Sequence, residues 1–374
     1  MKKLLFVVNV DWFFILHRLP IALAAQSEGY KVHIAATISD GFKPLSSHGF
    51  TVHPICVDRK SAGLGRNIKL FYQLLRLFHR LKPDVVHLVT IKPVTIGGIA
   101  ARLAGVKAVV AAISGLGYVF VGHSWKNTIL KIFVVFAYRL ALGKHNLRVI
   151  FENSEDRDVL LRLTKIPFGK AVVSHGGVGV DLSIFRPAPL PSGTPLVLMA
   201  SRLLADKGVR EYVEAAKFLR QSGCEARFCL AGAPDPGNPE SIEDHELKGW
   251  IAQNAIEYWG YRSDMPTALS CASVVVLPSY REGLPRILVE AAACGRAIIA
   301  TDVPGCRQVV RHGSNGLLVP PRNALALADA MRQLILDRFL CERMGKRGRE
   351  IAEAEFSVEK VVEQTLSVYR ELVP

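Results

Sequence analysis

Two carboxylates, Glu282 and Glu290, stand eight positions apart, with Gly283-Leu284-Pro285 between them and Ala293-Cys294-Gly295 after. Pro285 suits the first turn of a helix, where its missing N–H costs nothing. Glu282 is then expected at the mouth of that helix, and Glu290 two turns in. A helix mouth approached through a glycine offers free N–H groups and the positive end of the dipole to an anion. Apolar runs at 273–277 and 297–300 read as buried strands on either side, and ligands of such strand–loop–helix–strand units sit at the carboxyl ends of the strands. The plainer reading, a cap and a solvated helix residue, suits either acid alone. Arg202 and Lys207 follow a further apolar run, Leu196–Ala200, and precede a helix expected over 209–221. Placed there, an Arg fork and a Lys point charge can hold a diphosphate, although a surface ion pair is the simpler alternative.

The elements that must carry these residues repeat along the chain. Strands are expected at Lys3–Val10, 30–36, 49–57, Val85–Val89, Ala108–Ile113 and 148–151, with helices over 21–28, 67–81, 94–103 and 125–142 between them. Strand–helix–strand alternation of this kind builds a doubly wound parallel sheet. No G-x-G-x-x-G follows the first strand, so a nicotinamide fingerprint is missing. His17 and Arg18 fall where the first helix is expected to begin, at the carboxyl edge of the sheet. Lys92 and the pair Ser114-Gly115 end later strands on the same rim, where glycine permits close backbone approach to a ligand. Asp156-Arg157-Asp158 matches the D-x-D of metal-dependent sugar transfer, but both acids stand in a first helical turn and complement its dipole. The Pro- and Gly-bearing stretch 187–195 reads as a linker, which divides the chain into 1–186 and 187–356, with a last helix over 357–374.

Composition bounds the rest. A chain of 374 residues, half of them hydrophobic, accommodates two packed domains and is not disordered. Its seven cysteines are scattered without a C-x-x-C, which supports neither zinc nor a disulfide framework and fits a reducing cytosol. The apolar run after Lys2-Lys3 is too short for a signal peptide, and no stretch reaches the roughly 20 apolar residues of a spanning helix. Residues 1–185 hold 24 Lys and Arg against 10 Asp and Glu, while the remainder balances at 23 of each. The whole excess of +14 therefore lies in the first half and points to an anionic membrane or polymer. The segment Trp125–Leu142, apolar, aromatic and punctuated by Lys126, Lys131 and Arg139, reads equally as a core helix and as one lying in a bilayer interface.

The E-x7-E spacing with its Gly-Leu-Pro, together with R-x4-K at Arg202 and Lys207, resembles the family 4 retaining glycosyltransferases. The resemblance is strong over 196–310 and weaker before. It implies the GT-B fold: α/β, two Rossmann-like doubly wound domains facing a central cleft, with the last helix packing back on the first. It also implies donor binding by Arg202, Lys207, the backbone of Gly283, Leu284 and Pro285, and Glu290 on the ribose, with Glu282 as the catalytic, charge-stabilising residue. Tyr261 and Arg262 would stand at the base, Gly305 near the donor, and Gln308 where relatives more often carry Glu. Segments similar to I-K-P at 91–93 and S-G-L-G-Y at 114–118 lie near the acceptor in relatives, which implies His17, Arg18, Lys92, Ser114 and Gly115 on that side.

The expected function is metal-independent, retaining transfer of a sugar, an N-acetylhexosamine, from a UDP-sugar to a polyprenyl-diphosphate-linked saccharide in surface glycan synthesis. No cofactor beyond the nucleotide-sugar is expected. The protein would be cytoplasmic and peripheral at the inner face of the membrane. Two readings compete: a nucleotide-sugar epimerase of GT-B-like fold, which needs no acceptor or membrane, and a basic nucleic-acid-binding protein. The first leaves the basic segments unexplained. For the second, no nucleic-acid motif is present, so no nucleic-acid partner is expected.

Overall fold

The computed structural model describes residues 1–39, 45–57, 63–115, 125–174 and 176–374. It divides into two α/β units, Met1–Val178 with Glu359–Pro374, and Gly179–Val358.

The first unit is built on seven parallel strands: β1 (Lys3–Val10), β2 (Lys31–Thr37), β3 (Thr51–Pro54), β4 (Val85–Val89), β5 (Ala108–Ile113), β6 (Leu147–Phe151) and β7 (Ala171–Val173). Their spatial order is β3-β2-β1-β4-β5-β6-β7. The central strands are buried on both faces, which is why they read as continuous Val/Leu/Ala runs rather than alternating ones. One face packs helices Leu64–Leu81, Gly98–Leu103 and Trp125–Leu142. The other packs the N-terminal helices and the last helix, Val358–Leu372, whose Leu366, Tyr369 and Leu372 enter the core.

Residues 11–14 depart from expectation. They form a helix, Asp11–His17, directly after β1, and a second helix, Leu19–Ser27, follows. Asp11 explains the early start: its carboxylate accepts the Trp12 N–H and is tied down by Ser39 N–H and Oγ at 2.9 and 2.7 Å. His17 therefore ends the first helix, and Arg18 is the junction between the two. β3 is shorter than expected and closes at Pro54. The helix expected over 94–103 begins with a π-helical turn, Pro93–Gly97. In the D-x-D segment, the Asp156 N–H is capped by Asn153 Oδ1 at 2.7 Å and Asp156 is buried. Within Trp125–Leu142, Tyr138, Ala141 and Leu142 are buried, as in a core helix, while Ile132, Phe133, Phe136 and Leu140 are exposed.

The second unit carries β8 (Leu196–Ala200), β9 (Arg227–Ala231), β10 (Glu257–Gly260), β11 (Val274–Leu277), β12 (Ala297–Thr301) and β13 (Gly316–Val319) in the order β10-β9-β8-β11-β12-β13. The order reverses between β8 and β11, the switch point at which doubly wound sheets bind ligands. Residues 187–195 do not separate the units. The fully buried Arg296 donates to the Ala188 and Pro189 carbonyls at 2.7 and 3.3 Å, and Arg338 donates to Leu190 and Pro191. Those bonds hold the proline-rich stretch on the second unit, and the division falls at 178/179 instead. There the Val180 N–H pairs with the Phe356 carbonyl at 2.8 Å.

Candidate functional site

At the switch point of the second unit, the loops leaving β8 and β11 meet. Gly208, at φ +75°, passes so close to the Pro278 carbonyl that a Cβ would clash with it, and the Tyr280 N–H donates to Asp206 O at 2.8 Å. These backbone contacts bring Lys207 Nζ to 2.6 Å from Glu282 Oε1, with both side chains mostly shielded from solvent. Arg202 stands apart from this pair and holds Asp235 at 2.9 Å near the surface. The two cations expected to act as one clamp thus each engage a separate carboxylate.

Helix Arg286–Ala293 begins one residue later than expected, with Pro285 as its N-cap. Glu290 is consequently little more than one turn in, not two. It is only 7 % exposed and accepts from Arg286 Nε at 2.6 Å. Burial pushes its carboxyl above the ordinary range, and Arg286 only partly opposes this. Gly283 and Leu284 line the approach. On their far side is Gly305, where a Cβ would sit 2.6 Å from Glu282 O and closer still to Gly283 O. Gly305→Ala is expected to push the Glu282 loop aside, costing about 1–3 kcal/mol of stability and more than about tenfold in kcat/KM for chemistry at this site. Thermal melts and initial rates on the purified variant check this.

Tyr261 is 76 % exposed, and Arg262 is engaged with Asp264 at 2.7 Å, at the end of an edge strand two positions from the switch point. Tyr280, which the sequence reading passed over, is better anchored. Its hydroxyl donates to Glu211 Oε1 at 2.6 Å, Arg322 lies 4.5 Å over its ring, and burial beside Glu211 pushes its phenol up to about 12. Its signal was only a tyrosine within the loop that carries Glu282.

In the first unit the switch point lies between β1 and β4. Arg18 was expected on the open rim. It is instead 4 % exposed, donating to His17 O at 3.1 Å and reaching Ser114 Oγ at 3.4 Å. Burial lowers its pKa, and Glu152 and Tyr369 oppose that shift. The cause is the unexpected Asp11–His17 helix, which turns the chain inward at its end. The His17 ring packs on Phe13. Lys92 precedes the Pro93–Gly97 turn at the end of β4, and Gly115 takes φ +98° after β5. Leu116, Gly117 and Tyr118 lie outside the described residues. Just before Lys92, Thr90 adopts φ +75°, an outlier for a β-branched residue that costs on the order of 1–3 kcal/mol. Among the described residues, no three His, Cys, Asp or Glu side chains gather as a metal site, and no helix is long and apolar enough to cross a membrane.

Residues 181–351 match the family model described as glycosyl transferases group 1, and residues 3–153 match the one described as glycosyl transferase 4-like. The chain belongs to the glycosyltransferases. The transferase is 27% identical over 95% of both chains to the N,N'-diacetylbacillosaminyl-diphospho-undecaprenol alpha-1,3-N-acetylgalactosaminyltransferase of Campylobacter jejuni. It is 26% identical, over 88% of its own length and 85% of the relative's, to the UDP-Gal:alpha-D-GlcNAc-diphosphoundecaprenol alpha-1,3-galactosyltransferase of Escherichia coli. Its fold is that of sucrose-phosphate synthase from Thermosynechococcus elongatus, with a TM-score of 0.81 over 100% and 99% of the two chains at 21% identity. The two parallel-sheet units are those of a GT-B enzyme.

Proposed function

We propose that the transferase moves an N-acetylhexosamine from a UDP-sugar to a saccharide borne on a polyprenyl diphosphate, with retention at the anomeric carbon and without a metal ion or other cofactor. The observation that carries this reading is the Lys207–Glu282 pair at 2.6 Å on the switch point of the second sheet, one loop from the buried Glu290. Lys207 can turn from Glu282 to a donor diphosphate, and the positive dipole end of helix Arg286–Ala293 can share the charge that develops as the diphosphate departs. Glu282 then orients the donor sugar and balances charge, while Glu290 accepts from the ribose. Arg202 reaches the outer phosphate by leaving Asp235. Tyr261 and Arg262 flank the base, and His17, Lys92, Ser114 and Gly115 face the acceptor.

Two relatives that match along most of their length carry diphospho-undecaprenol acceptors in their names, and one of these names a UDP-sugar. The +14 excess in the first half and the exposed Ile132, Phe133, Phe136 and Leu140 support work at the inner face of an anionic membrane, in surface glycan synthesis. Nucleic acid is not a partner in this reading.

The test is a thermal-shift screen of the purified chain with UDP-, GDP-, ADP- and dTDP-sugars in EDTA, followed by transfer to a polyprenyl-diphosphate-linked N-acetylglucosamine. A UDP-sugar at about a hundred times its Kd should stabilise the protein by about 2.7 kcal/mol, and the product should keep the donor's anomeric configuration by NMR. A shift with another nucleotide alone, a requirement for added metal, or inversion in the product would each overturn the corresponding part.

A further inference from the structure

Buried polar atoms without partners are rare in folded proteins and are retained against a stability cost. In the first unit, five of them gather at one place. Tyr138 OH and Thr90 Oγ1 belong to residues lining one recess, and Arg18 Nε, His87 Nε2 and Ser174 Oγ belong to residues lining the cavity beside it. The two spaces share Ile113 and Ser114, at the carboxyl end of β5. The recess measures about 190 Å³ and is lined by Thr90, Ile91, Ile113, Ser114, Gly115 and Tyr138. That is several times the volume of a water but below the size of a whole-ligand pocket, so it suits one substituent or one edge of a sugar ring.

Its chemistry is selective. Among the described residues no charged side chain lines it, so none of them recognises a phosphate there. Three hydroxyls, from Thr90, Ser114 and Tyr138, can each donate and accept, and two isoleucines offer an apolar wall. An acetamido group has this complement: an N–H, a carbonyl and a methyl. Tyr138 is fully buried on helix Trp125–Leu142, and the Thr90 hydroxyl is itself a buried atom, so packing restrains both.

We propose that this recess reads the acetamido group of the acceptor's sugar, with Tyr138 and Thr90 as specificity-determining residues. The proposal deepens the acceptor reading above and rests on it for the identity of the ligand. The test uses the full chain and the isosteric variants Tyr138→Phe and Thr90→Val, with polyprenyl-diphosphate acceptors bearing N-acetylglucosamine or glucose. Wild type should favour the acetamido acceptor by at least about tenfold in kcat/KM. Each variant should bring that ratio towards one by losing rate on the acetamido acceptor alone, with the UDP-sugar KM unchanged. Tyr138→Phe should melt no lower than wild type, because it removes an unsatisfied buried hydroxyl.

Saturation-transfer NMR with free N-acetylglucosamine, without donor, gives an independent readout at the acetyl methyl. If neither acceptor is glycosylated but the methyl signal is present and lost in both variants, the recess stands and the transfer reading falls. If transfer proceeds with the ratio and the methyl signal unchanged in both variants, or if both acceptors lose rate equally, the recess proposal is overturned.

Discussion

Replacing Lys207 by methionine should lower donor kcat/KM by about a hundred- to a thousandfold, the usual loss when one pre-organised charge is removed from a developing anion. The aliphatic stem is kept, so the effect reports the ammonium and not the packing. Stability responds in the other direction of causality: the substitution leaves Glu282, with 12% of its side chain exposed, beside no cation at 2.6 Å. That shielded charge is left without its partner, and the variant should melt below wild type. Steady-state kinetics on a UDP-sugar and thermal melts separate the two effects. If kcat/KM moves less than about threefold, the diphosphate is held elsewhere and the switch-point assignment is wrong. Arg202→Ala should be milder, since the guanidinium is half exposed and already engaged with Asp235.

Glu290→Gln separates stability from function. Burial raises the folded pKa of Glu290 above its unfolded value, Arg286 opposing. A carboxyl shifted that way favours the fold while protonated. Its contribution is full below the unfolded pKa and is lost as pH rises through the folded one. At pH 8 the wild type bears the cost of an ionised buried carboxylate, which glutamine removes. The Arg286 left behind is partly exposed and can be solvated. The variant should therefore melt at or above the wild-type temperature at pH 8, with the gap closing on acidification towards the ordinary carboxylate pKa. Donor affinity should nevertheless fall by about a hundredfold, as a charge-assisted pair of hydrogen bonds to a ribose is worth up to about 3 kcal/mol. Isothermal titration with UDP and scanning calorimetry across pH measure both quantities. A variant that binds UDP as wild type does would remove Glu290 from the donor site.

Several elements were legible because their signals are local. The buried strands of both sheets announce themselves as Val/Ile/Leu/Ala runs between turn residues, since a parallel strand covered on both faces has no polar side to show. The loop–helix unit around Glu282 and Glu290 was visible from spacing and a proline. The Asp11–His17 helix was not, because it depends on Ser39, 28 positions away, fixing the Asp11 carboxylate. The tie of residues 187–195 to the second unit was equally hidden: it is made by Arg296 and Arg338, more than 100 positions further along.

What the residues determined unaided is the class of chemistry, a helix mouth flanked by acids and cations, and the concentration of positive charge in the first half. Tertiary structure alone decided which charge meets which. Lys207 pairs with Glu282 across 75 positions, Tyr280 with Glu211 across 69, and Arg18 turns inward to Ser114 across 96. Propensity and periodicity act over a turn or a strand, whereas these partners are chosen by strand order. In both sheets that order reverses where the first and fourth strands lie side by side, and no pattern within a single segment encodes it.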